Sequence, residues 1–431
     1  MGKIVIIGNG IAGVTTARHI RKLDSKAEIM IVSAETKYFF SRTALMYIYM
    51  GHMKFEHTKP YEDSFWKKNR IDLCFGKVEK IDFESKKLSL DIGKTITYDS
   101  LVLAVGSKPN MFGWKGQDLP GVQGLYSCQD LELMEKNTKG IKSAVIVGGG
   151  LIGVEMAEML LSRNIEVHFL IRENHFWGNV LSKNEAELIA SHMVNDHGVD
   201  LKFNSSLAEI TSGSDGRANG VITESGEKIE CQFVGLTAGV SANIGFLKNT
   251  KLETNRGVLV NSYLRTNKPD VYALGDCAEF KVAPPGRRAI EQVWYTGRMM
   301  GETLAKTLTG EPKEYLPGYW FNSAKFFDIE YQTYGWVLPE KGENEIHFHW
   351  KHKDNFKCIT INTDATNGKF IGINTFGIRM RHEVFDRWLS EERTTDYIIE
   401  NLKEANFDPE FYKHFEKEIV SAYRECQPIN A

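Results

Sequence analysis

The chain has 431 residues and a formal charge of −3, and 42% of its residues are hydrophobic and 25% charged. This length predicts about three domains, since one domain takes roughly 150 residues. The charge argues against nucleic acid as the main partner because phosphate binding requires a basic surface. Small basic clusters at 287–288 and 379–382 are interpreted as solvated surface.

The N-terminus and the cysteines indicate the cellular compartment in which we expect the protein. No stretch approaches the roughly 18 apolar residues that a membrane-spanning helix requires. The strand-like run Lys3–Ile7 begins without a signal-peptide pattern ahead of it. The six cysteines include no CxxC pair, so we expect neither a zinc site nor a local redox pair. We therefore predict a cytoplasmic protein with reduced thiols and no metal.

Two segments repeat one pattern. Residues 4–35 and 144–173 each read as an apolar run, a glycine turn, a helical segment and a second apolar run. Continuous apolar runs are typical of parallel strands that are buried on both faces. Each segment therefore predicts a βαβ unit, and the fold class is α/β.

A GxGxxG motif stands at the turn of each unit, at residues 8–13 and 148–153. The first glycine permits a tight turn, the second lets the backbone approach a pyrophosphate, and the third lets helix and strand pack closely. The helix N-terminus then offers N–H groups to the phosphates. The predicted dinucleotide-binding residues are Gly8, Asn9, Gly10, Ile11, Ala12, Gly13, Gly148, Gly150, Leu151, Ile152 and Gly153.

The residue after the second strand of each unit predicts ribose recognition. In the first unit this is Glu35, whose carboxylate would accept hydrogen bonds from ribose hydroxyls. In the second unit Ile171 stands where an NAD-preferring enzyme usually has an acid, and Arg172 and Glu173 follow. Arg172 would pair with a 2′-phosphate and Glu173 with an NAD ribose. The pattern leans toward NADPH and leaves NADH open.

These motifs and four further stretches, 98–109, 236–240, 267–278 and 294–298, occur in the order found in a known family. The chain resembles the two-dinucleotide-binding-domain flavoproteins, also called the pyridine nucleotide-disulfide oxidoreductases. The resemblance implies FAD in the first site and NAD(P)H in the second. The implied layout is an FAD domain at 1–112 and 243–318, an inserted NAD(P) domain at 113–242, and a C-terminal α+β domain at 319–431.

The resemblance also implies roles for residues outside the glycine motifs. Glu155 and Trp294 are the implied catalytic residues: Glu155 would orient the nicotinamide, and the helix start at Trp294 would stabilise the reduced flavin through its dipole. Asp276 would bind the ribityl chain and the flavin pyrophosphate region. The other residues placed at the cofactors are Arg42, Val78, Ala104, Val105, Gly106, Gly239, Gly275 and Thr296.

The chain departs from the family at the flavin-facing cysteine. Residues 38–47 contain no cysteine, and Thr43 stands where a single-cysteine branch has its thiol. A threonine cannot supply a low-pKa thiolate, so disulfide, peroxide and coenzyme A chemistry are disfavoured. Residues 41–45 instead resemble the cysteine-free branch of rubredoxin and ferredoxin reductases and the flavin half of nitrite reductases. Arg42 would then lie against the FAD phosphates.

The C-terminal region predicts strands near 324–337, 345–351, 356–362 and 369–376 and helices near 381–403 and 408–424. The last helix carries an apolar stripe of Phe411, Phe415, Ile419 and Tyr423. Packing against its own domain is favoured over a membrane surface because the polar face mixes charges of both signs. His347, His349 and His352 are expected to be exposed strand residues and not metal ligands. The resemblance implies that this domain either forms the contacts of a homodimer or covers the flavin.

The predicted activity is transfer of a hydride from NAD(P)H to the flavin, followed by transfer of electrons to an acceptor protein or small molecule. The resemblance implies a small acceptor protein of the rubredoxin or ferredoxin type. Two alternatives stay open. One is an NADH:quinone or NADH:oxygen reductase at the membrane face. The other is an NAD(P)H-responsive flavoprotein sensor with slow turnover, which is favoured by Tyr47 standing where many of the related enzymes have a lysine.

Overall fold

A computed structural model describes residues 2–354, 356–407, 410 and 413–426. It divides into two compact units. The first comprises Met1–Lys142, Ile210–Gly220 and Cys231–Pro317, and the second comprises Ser143–Glu209, Val221–Glu230 and Gly318–Ala431.

Strands and helices alternate over residues 3–33 and 143–202, and runs of successive strands without an α-helix between them form much of the rest. The strands are β1 (Lys3–Ile7), β2 (Glu28–Ser33), β3 (Ile71–Phe75), β4 (Val78–Asp82), β5 (Lys87–Leu90), β6 (Thr95–Thr97), β7 (Ser100–Leu103), β8 (Ser107–Pro109), β9 (Val122–Gln123), β10 (Ser143–Val147), β11 (Glu166–Leu170), β12 (Asp200–Lys202), β13 (Leu207–Ser212), β14 (Ala218–Thr223), β15 (Lys228–Glu230), β16 (Phe233–Leu236), β17 (Val240–Ala242), β18 (Val258–Val260), β19 (Val271–Ala273), β20 (Ala278–Phe280), β21 (Phe321–Phe326), β22 (Ile329–Gly335), β23 (Glu345–Lys351), β24 (Cys358–Asp364) and β25 (Phe370–Phe376). The α-helices are α1 (Ile11–Leu23), α2 (Leu45–Tyr49), α3 (Asp63–Lys68), α4 (Cys128–Asn137), α5 (Leu151–Leu161), α6 (Lys183–Asn195), α7 (Trp294–Leu308), α8 (His382–Ser390), α9 (Thr395–Glu400) and α10 (Glu416–Cys426).

The first unit is built on a parallel sheet of order β19-β7-β1-β2-β3. The helix α1 joins β1 to its neighbour β2, so the first predicted βαβ unit is confirmed. Ile6, Ile31 and Val102 on these strands are almost wholly buried, which explains their continuous apolar runs. The strands β4, β5 and β6 form a separate antiparallel sheet in the same unit.

The second unit contains the second predicted βαβ unit. The strands β10, β11 and β12 pair in parallel, and α5 joins β10 to β11. The fully buried Val145, Val167 and Phe169 lie on β10 and β11. The prediction of two Rossmann-like α/β units is confirmed.

The C-terminal part of the second unit is an antiparallel sheet of order β21-β22-β25-β24-β23 with helices α8, α9 and α10 packed near it. Trp388 and Phe385 are fully buried in its core, and Phe415 and Ile419 of the predicted stripe join the same core. The interpretation that this stripe packs against its own domain is confirmed for these two residues. Phe411 lies outside the described residues.

Two predicted C-terminal elements are each divided in the structure. The segment predicted near 324–337 is a hairpin, because the chain turns at Phe327, which has a φ of +55°, and Asp328. The helix predicted over 381–403 ends at Ser390 and resumes at Thr395, with Glu392 at a φ of +51° between them. Within the described residues, no helix has both the length and the apolar character needed to cross a bilayer.

Candidate functional site

In the first glycine turn, Gly8 and Gly13 are closely packed, whereas Gly10 at the start of α1 faces open space. Gly8 has a φ of +112°, which favours glycine, and a Cβ there would lie 2.0 Å from the carbonyl oxygen of Ala104. A Cβ on Gly13 would lie 2.2 Å from the carbonyl oxygen of Gly8. Gly10, which precedes α1, differs: a Cβ built there would meet no other described part of the chain within 4 Å. The first turn of α1 contains no acidic residue, so its N–H groups can receive an anion.

The second glycine turn repeats this arrangement. Gly148 has a φ of +115°, and a Cβ on Gly149 would lie 3.0 Å from the side chain of Ile171. Gly150 precedes α5 and again faces open space, and the first turn of α5 has no acidic residue. Leu151, Ile152 and Gly153 form that first turn. Its geometry suits a second pyrophosphate.

Glu35 and Arg42, two predicted FAD-binding residues, form a bidentate ion pair. The Nη1 and Nη2 atoms of Arg42 lie 2.8 Å and 2.6 Å from the two carboxylate oxygens of Glu35. The backbone N–H of Cys128 also donates to Glu35, at 2.9 Å. Arg42 lies over the Tyr126 ring, 4.4 Å from its centroid. Burial alone would lower the pKa of Arg42, but the hydrogen bond and charge of Glu35 raise it.

Asn9 donates to the carbonyl oxygen of Thr36 at 2.8 Å, which fixes the turn next to Glu35.

Asp276 lies at the centre of a second set of hydrogen bonds. The hydroxyls of Ser107 and Tyr126 each donate to its Oδ2 atom at 3.2 Å. Gln292 donates in turn to the Ser107 hydroxyl at 2.9 Å. Burial raises the pKa of Asp276, and the bonds from Ser107 and Tyr126 offset part of that rise. Because Tyr126 touches both Arg42 and Asp276, it joins the two predicted FAD motifs. We call Glu35, Arg42, Tyr126, Asp276, Ser107 and Gln292 the carboxylate network.

The start of α7 is anchored by a buried ion pair. Arg287 and Glu291, with side chains only 1% and 5% exposed, are joined by two hydrogen bonds of 2.5 Å and 2.8 Å. Thr296 is also buried and its hydroxyl donates to Glu291 at 3.2 Å. Trp294, at the first position of α7, is 36% exposed. The interpretation of Arg287 as solvated surface is therefore wrong, because an acidic side chain four residues later permits its burial.

The remaining predicted FAD residues lie around the ends of β7 and β19. Gly106 has a φ of +64° beside the Tyr126 hydroxyl, and Gly275 has a φ of +71° beside the Cβ of Ala12. Ala104 and Val105 follow β7 directly. Gly239 directly precedes β17, which pairs with β8, and its carbonyl oxygen accepts the Asn110 N–H at 3.1 Å. The side chain of Val78 is buried in the core of the first unit, so only its backbone is available to a ligand.

Glu155, the predicted nicotinamide-facing residue, is half-buried on α5. Burial, and secondarily the charge of Glu158, raises the pKa of Glu155 to about 7. Glu158 pairs with Lys325 at 3.5 Å, whereas the Glu155 carboxylate has no hydrogen bond or ion pair to any described residue. A partly desolvated carboxylate without a protein partner is typical of a functional position.

The residues proposed to choose between the two nicotinamide cofactors pair with one another. Ile171 is fully buried at the end of β11, and Arg172 and Glu173 follow it. Arg172 is 79% exposed and its Nη2 atom lies 2.8 Å from the Glu173 carboxylate. Arg172 and Glu173 therefore form an ion pair with each other, and this pair is compatible with the ribose of either NADH or NADPH.

The sequence did not single out Tyr126, Ser107 or Gln292. Tyr126 precedes Ser127, which caps α4 together with Asp130, so the visible local signal was a helix start. The contact between Tyr126 and Asp276 spans 150 residues, and no local pattern reports such a separation.

Together these features fit FAD in the first unit and a nicotinamide dinucleotide in the second. Each site has an uncapped helix N-terminus behind a glycine at which a side chain would fill the open space. In the first unit, a carboxylate and a guanidinium lie beyond β2, where ribose and phosphate recognition are expected.

Comparisons with known proteins agree with this fit. Residues 2–301 match the model of a family described as pyridine nucleotide-disulphide oxidoreductase. The chain is similar to rhodocoxin reductase of Rhodococcus erythropolis, with 29% identity over 75% of this chain and 76% of that protein. It is also 29% identical to rubredoxin-NAD(+) reductase of Pseudomonas putida, over 64% of this chain and 71% of that protein.

The fold is shared with a solved structure. The ferredoxin reductase for the CYP199A2 system from Rhodopseudomonas palustris superposes with a TM-score of 0.81 over 97% of this chain and 99% of its own, at 23% identity. The predicted resemblance to the rubredoxin and ferredoxin reductase branch is confirmed by these relatives.

Proposed function

The chain belongs to the pyridine nucleotide-disulphide oxidoreductase family and is an FAD-dependent NAD(P)H oxidoreductase, and on this premise we propose that it delivers electrons to a small redox protein of the rubredoxin or ferredoxin type. The names of its relatives support this acceptor class: one reduces rubredoxin by name, and another is a rhodocoxin reductase.

The observation that carries the proposal is the state of the thiols beside the carboxylate network. Cys277 follows Asp276 directly, is fully buried, and has a pKa raised to about 11 by burial. Burial, with help from Glu132, also raises the pKa of Cys128, which donates its N–H to Glu35. Neither can supply a thiolate at neutral pH, and Thr43 occupies the family's cysteine position. Chemistry through an enzyme disulfide is therefore disfavoured, which leaves direct transfer to an external acceptor.

The chain's own contribution is binding and positioning. FAD, when bound, supplies acceptance of a hydride and release of electrons. The N–H groups of α1, behind Gly10, would hold its pyrophosphate, and Glu35 with Arg42 would hold the adenosine ribose and phosphates. Asp276, kept in place by Ser107 and Tyr126, would accept hydrogen bonds from the ribityl hydroxyls. In the second unit, the N–H groups of α5 would hold the NAD(P)H pyrophosphate.

Glu155 would orient the nicotinamide through its free carboxylate. With a pKa of about 7 it exists in both protonation states near neutral pH, so it can accept or donate a hydrogen bond at the carboxamide. It need not take part in the hydride transfer itself.

An anaerobic titration of the FAD-loaded protein with NADH and with NADPH tests the first half of the proposal. We expect rapid bleaching of the visible flavin spectrum by at least one of the two nucleotides. Glu155→Gln should slow this bleaching roughly tenfold while leaving the oxidised spectrum unchanged. Glu187→Gln is the matched control, because Glu187 lies exposed on α6 and pairs only loosely with Lys183, at 3.8 Å.

Acceptor screening tests the second half. We expect NAD(P)H-dependent reduction of rubredoxin or a ferredoxin at rates well above those with quinones or oxygen. Faster turnover with a soluble quinone, together with sedimentation with liposomes, would replace the proposal by the membrane-face alternative. Slow bleaching into a lasting long-wavelength absorption band would favour the sensor alternative. A protein that cannot be reconstituted with FAD would contradict the whole assignment.

A further inference from the structure

A cluster of two histidines and an aspartate lies in the second unit, apart from the residues assigned above. His192 is near the end of α6, His197 follows that helix, and Asp328 occupies the turn between β21 and β22. The Nε2 atom of His192 lies 2.5 Å from Oδ1 of Asp328 and 3.1 Å from Nε2 of His197. The Nε2 atom of His197 lies 3.7 Å from the same Asp328 oxygen.

Three ligand-type atoms meet in this cluster. The Nδ1 atom of His192 lies 2.7 Å from the carboxylate of Asp196, so Nε2 is the atom that His192 presents to Asp328 and His197. Two imidazole nitrogens and one carboxylate oxygen are atoms that a divalent cation binds.

The spacing of the three atoms suits a metal ion. Ligand bonds of roughly 2.0–2.1 Å in a tetrahedral site place neighbouring ligand atoms about 3.4 Å apart. The observed separations of 2.5, 3.1 and 3.7 Å bracket this value. Three protein ligands leave one position open to solvent, and the exposed Asp328, at 75%, gives an entry route.

The surroundings of His192 hold it in a ligating orientation. Its side chain is only 5% exposed, and the bond from Nδ1 to Asp196 fixes the ring with Nε2 facing the cluster. A carboxylate behind a ligating histidine is the usual outer partner in metal sites. The Phe356 ring lies 4.6 Å from the His192 ring, and the Phe327 ring stacks on His197 at 4.1 Å. These rings exclude water from one side of the cluster.

The local charge also favours a dication. Asp196 and Asp328 contribute two negative charges, and the nearby Glu158 is compensated by Lys325 at 3.5 Å. We propose that His192, His197 and Asp328 bind one divalent transition-metal ion, with zinc as the ion that best suits two imidazole nitrogens and one carboxylate oxygen. The ion would link the end of α6 to the β21–β22 turn and so tie the dinucleotide-binding part of the second unit to its C-terminal sheet.

The test is metal binding by the untagged, full-length, FAD-loaded protein after treatment with a chelator. Equilibrium dialysis against zinc chloride, read by mass spectrometry of the metal, gives stoichiometry and affinity, and a thermal melt gives the effect on stability. The variants are His197→Gln and Asp328→Asn, because both side chains are partly or largely exposed and tolerate replacement. Asp196→Asn tests the outer partner. The control is His168→Gln, since His168 pairs with Asp200 at 2.8 Å outside any such cluster.

We expect the wild-type protein and His168→Gln to bind one equivalent of zinc and to melt at a higher temperature in its presence. Zinc affinity should fall at least tenfold in His197→Gln and Asp328→Asn, and by roughly 10–100-fold in Asp196→Asn. Unchanged circular dichroism and an unchanged KM for NAD(P)H, whose site is assigned to the second unit, show in each variant that the fold is intact. Zinc binding that is equal in all variants, or absent from the wild type at micromolar zinc, would overturn the proposal.

Discussion

The carboxylate of Glu155 has its ionisation altered by the fold itself. Burial, and after it the charge of Glu158, raises the pKa of Glu155 to about 7 from an ordinary value of 4.5. Between these two pH values the folded protein binds more protons at this group than the unfolded chain does. The free energy of unfolding therefore falls as the pH rises from about 4.5 to about 7, and the loss is complete above pH 7.

Replacing Glu155 by glutamine should remove this cost. We expect Glu155→Gln to match the wild type near pH 4 and to be more stable at pH 8, by on the order of 1–3 kcal/mol because the partly exposed group is screened. Unfolding by urea at the two pH values measures the difference. Glu187→Gln should show no such pH-dependent gain. A Glu155→Gln protein that is less stable than the wild type at pH 8 would show that the carboxylate has a stabilising partner when ionised.

A gain in stability combined with slower flavin reduction would identify Glu155 as a residue retained for function. Fold stability alone would select a neutral side chain at this half-buried position, since desolvating a carboxylate without a partner is unfavourable. The contrast with Glu158, whose charge is matched by Lys325, shows that the same helix can accommodate a compensated acid one turn later.

At the scale of elements, the glycines at the starts of α1 and α5 have two different roles. Some are required by the backbone, and others leave space for a ligand. Gly8 and Gly10 belong to one motif but have different surroundings: a Cβ on Gly8 would meet the Ala104 carbonyl oxygen at 2.0 Å, whereas one on Gly10 would point into open space. Gly8→Ala should destabilise the protein by about 2 kcal/mol or more, because its φ of +112° and this contact both oppose a side chain.

Gly10→Ala should leave the stability of the FAD-free protein close to that of the wild type but weaken FAD binding at least tenfold. The added methyl group would occupy the space that the pyrophosphate needs. Gly150→Ala should raise the KM for NAD(P)H and leave FAD bound. Thermal melts of the FAD-free proteins and titration with FAD distinguish the two effects. Full FAD affinity in Gly10→Ala would place the pyrophosphate elsewhere.

Elements whose signal is local could be predicted from the sequence, and those fixed by distant contacts could not. Both βαβ units follow from apolar runs and glycine turns, and the structure has them where they were expected. The sequence predicts the β21–β22 hairpin as a single strand because its turn has Phe327, at a φ of +55°, where a glycine or asparagine would be the usual turn signal. No local sequence pattern indicates the cluster around His192 either, since Asp328 lies 136 residues further along the chain.

At the scale of the whole molecule, the distribution of cysteines bears on the reaction class. In the described part of the chain Cys74, Cys231, Cys277 and Cys358 are buried, Cys128 is half-buried and Cys426 is exposed. Burial raises the pKa of Cys128, Cys277 and Cys358. Among the cysteines of the described residues, Cys426 is therefore the one most accessible to a thiol reagent.

Alkylation of the native enzyme should therefore be limited and harmless. We expect iodoacetamide at pH 7.5 to add one carbamidomethyl group, at Cys426, and to leave NAD(P)H-dependent electron transfer within roughly twofold of its original rate. Cys426→Ser should abolish the labelling, and the urea-unfolded chain should take up six groups, one for each cysteine. Intact-mass spectrometry and the acceptor assay measure the two quantities.

The informative comparison is labelling after reduction by NAD(P)H. An enzyme that stores electrons in a disulfide exposes new thiols at that stage and loses activity on alkylation, whereas a direct reductase does not. Inactivation that requires prior reduction would thus show a redox-active thiol and contradict the proposed direct transfer to an external acceptor.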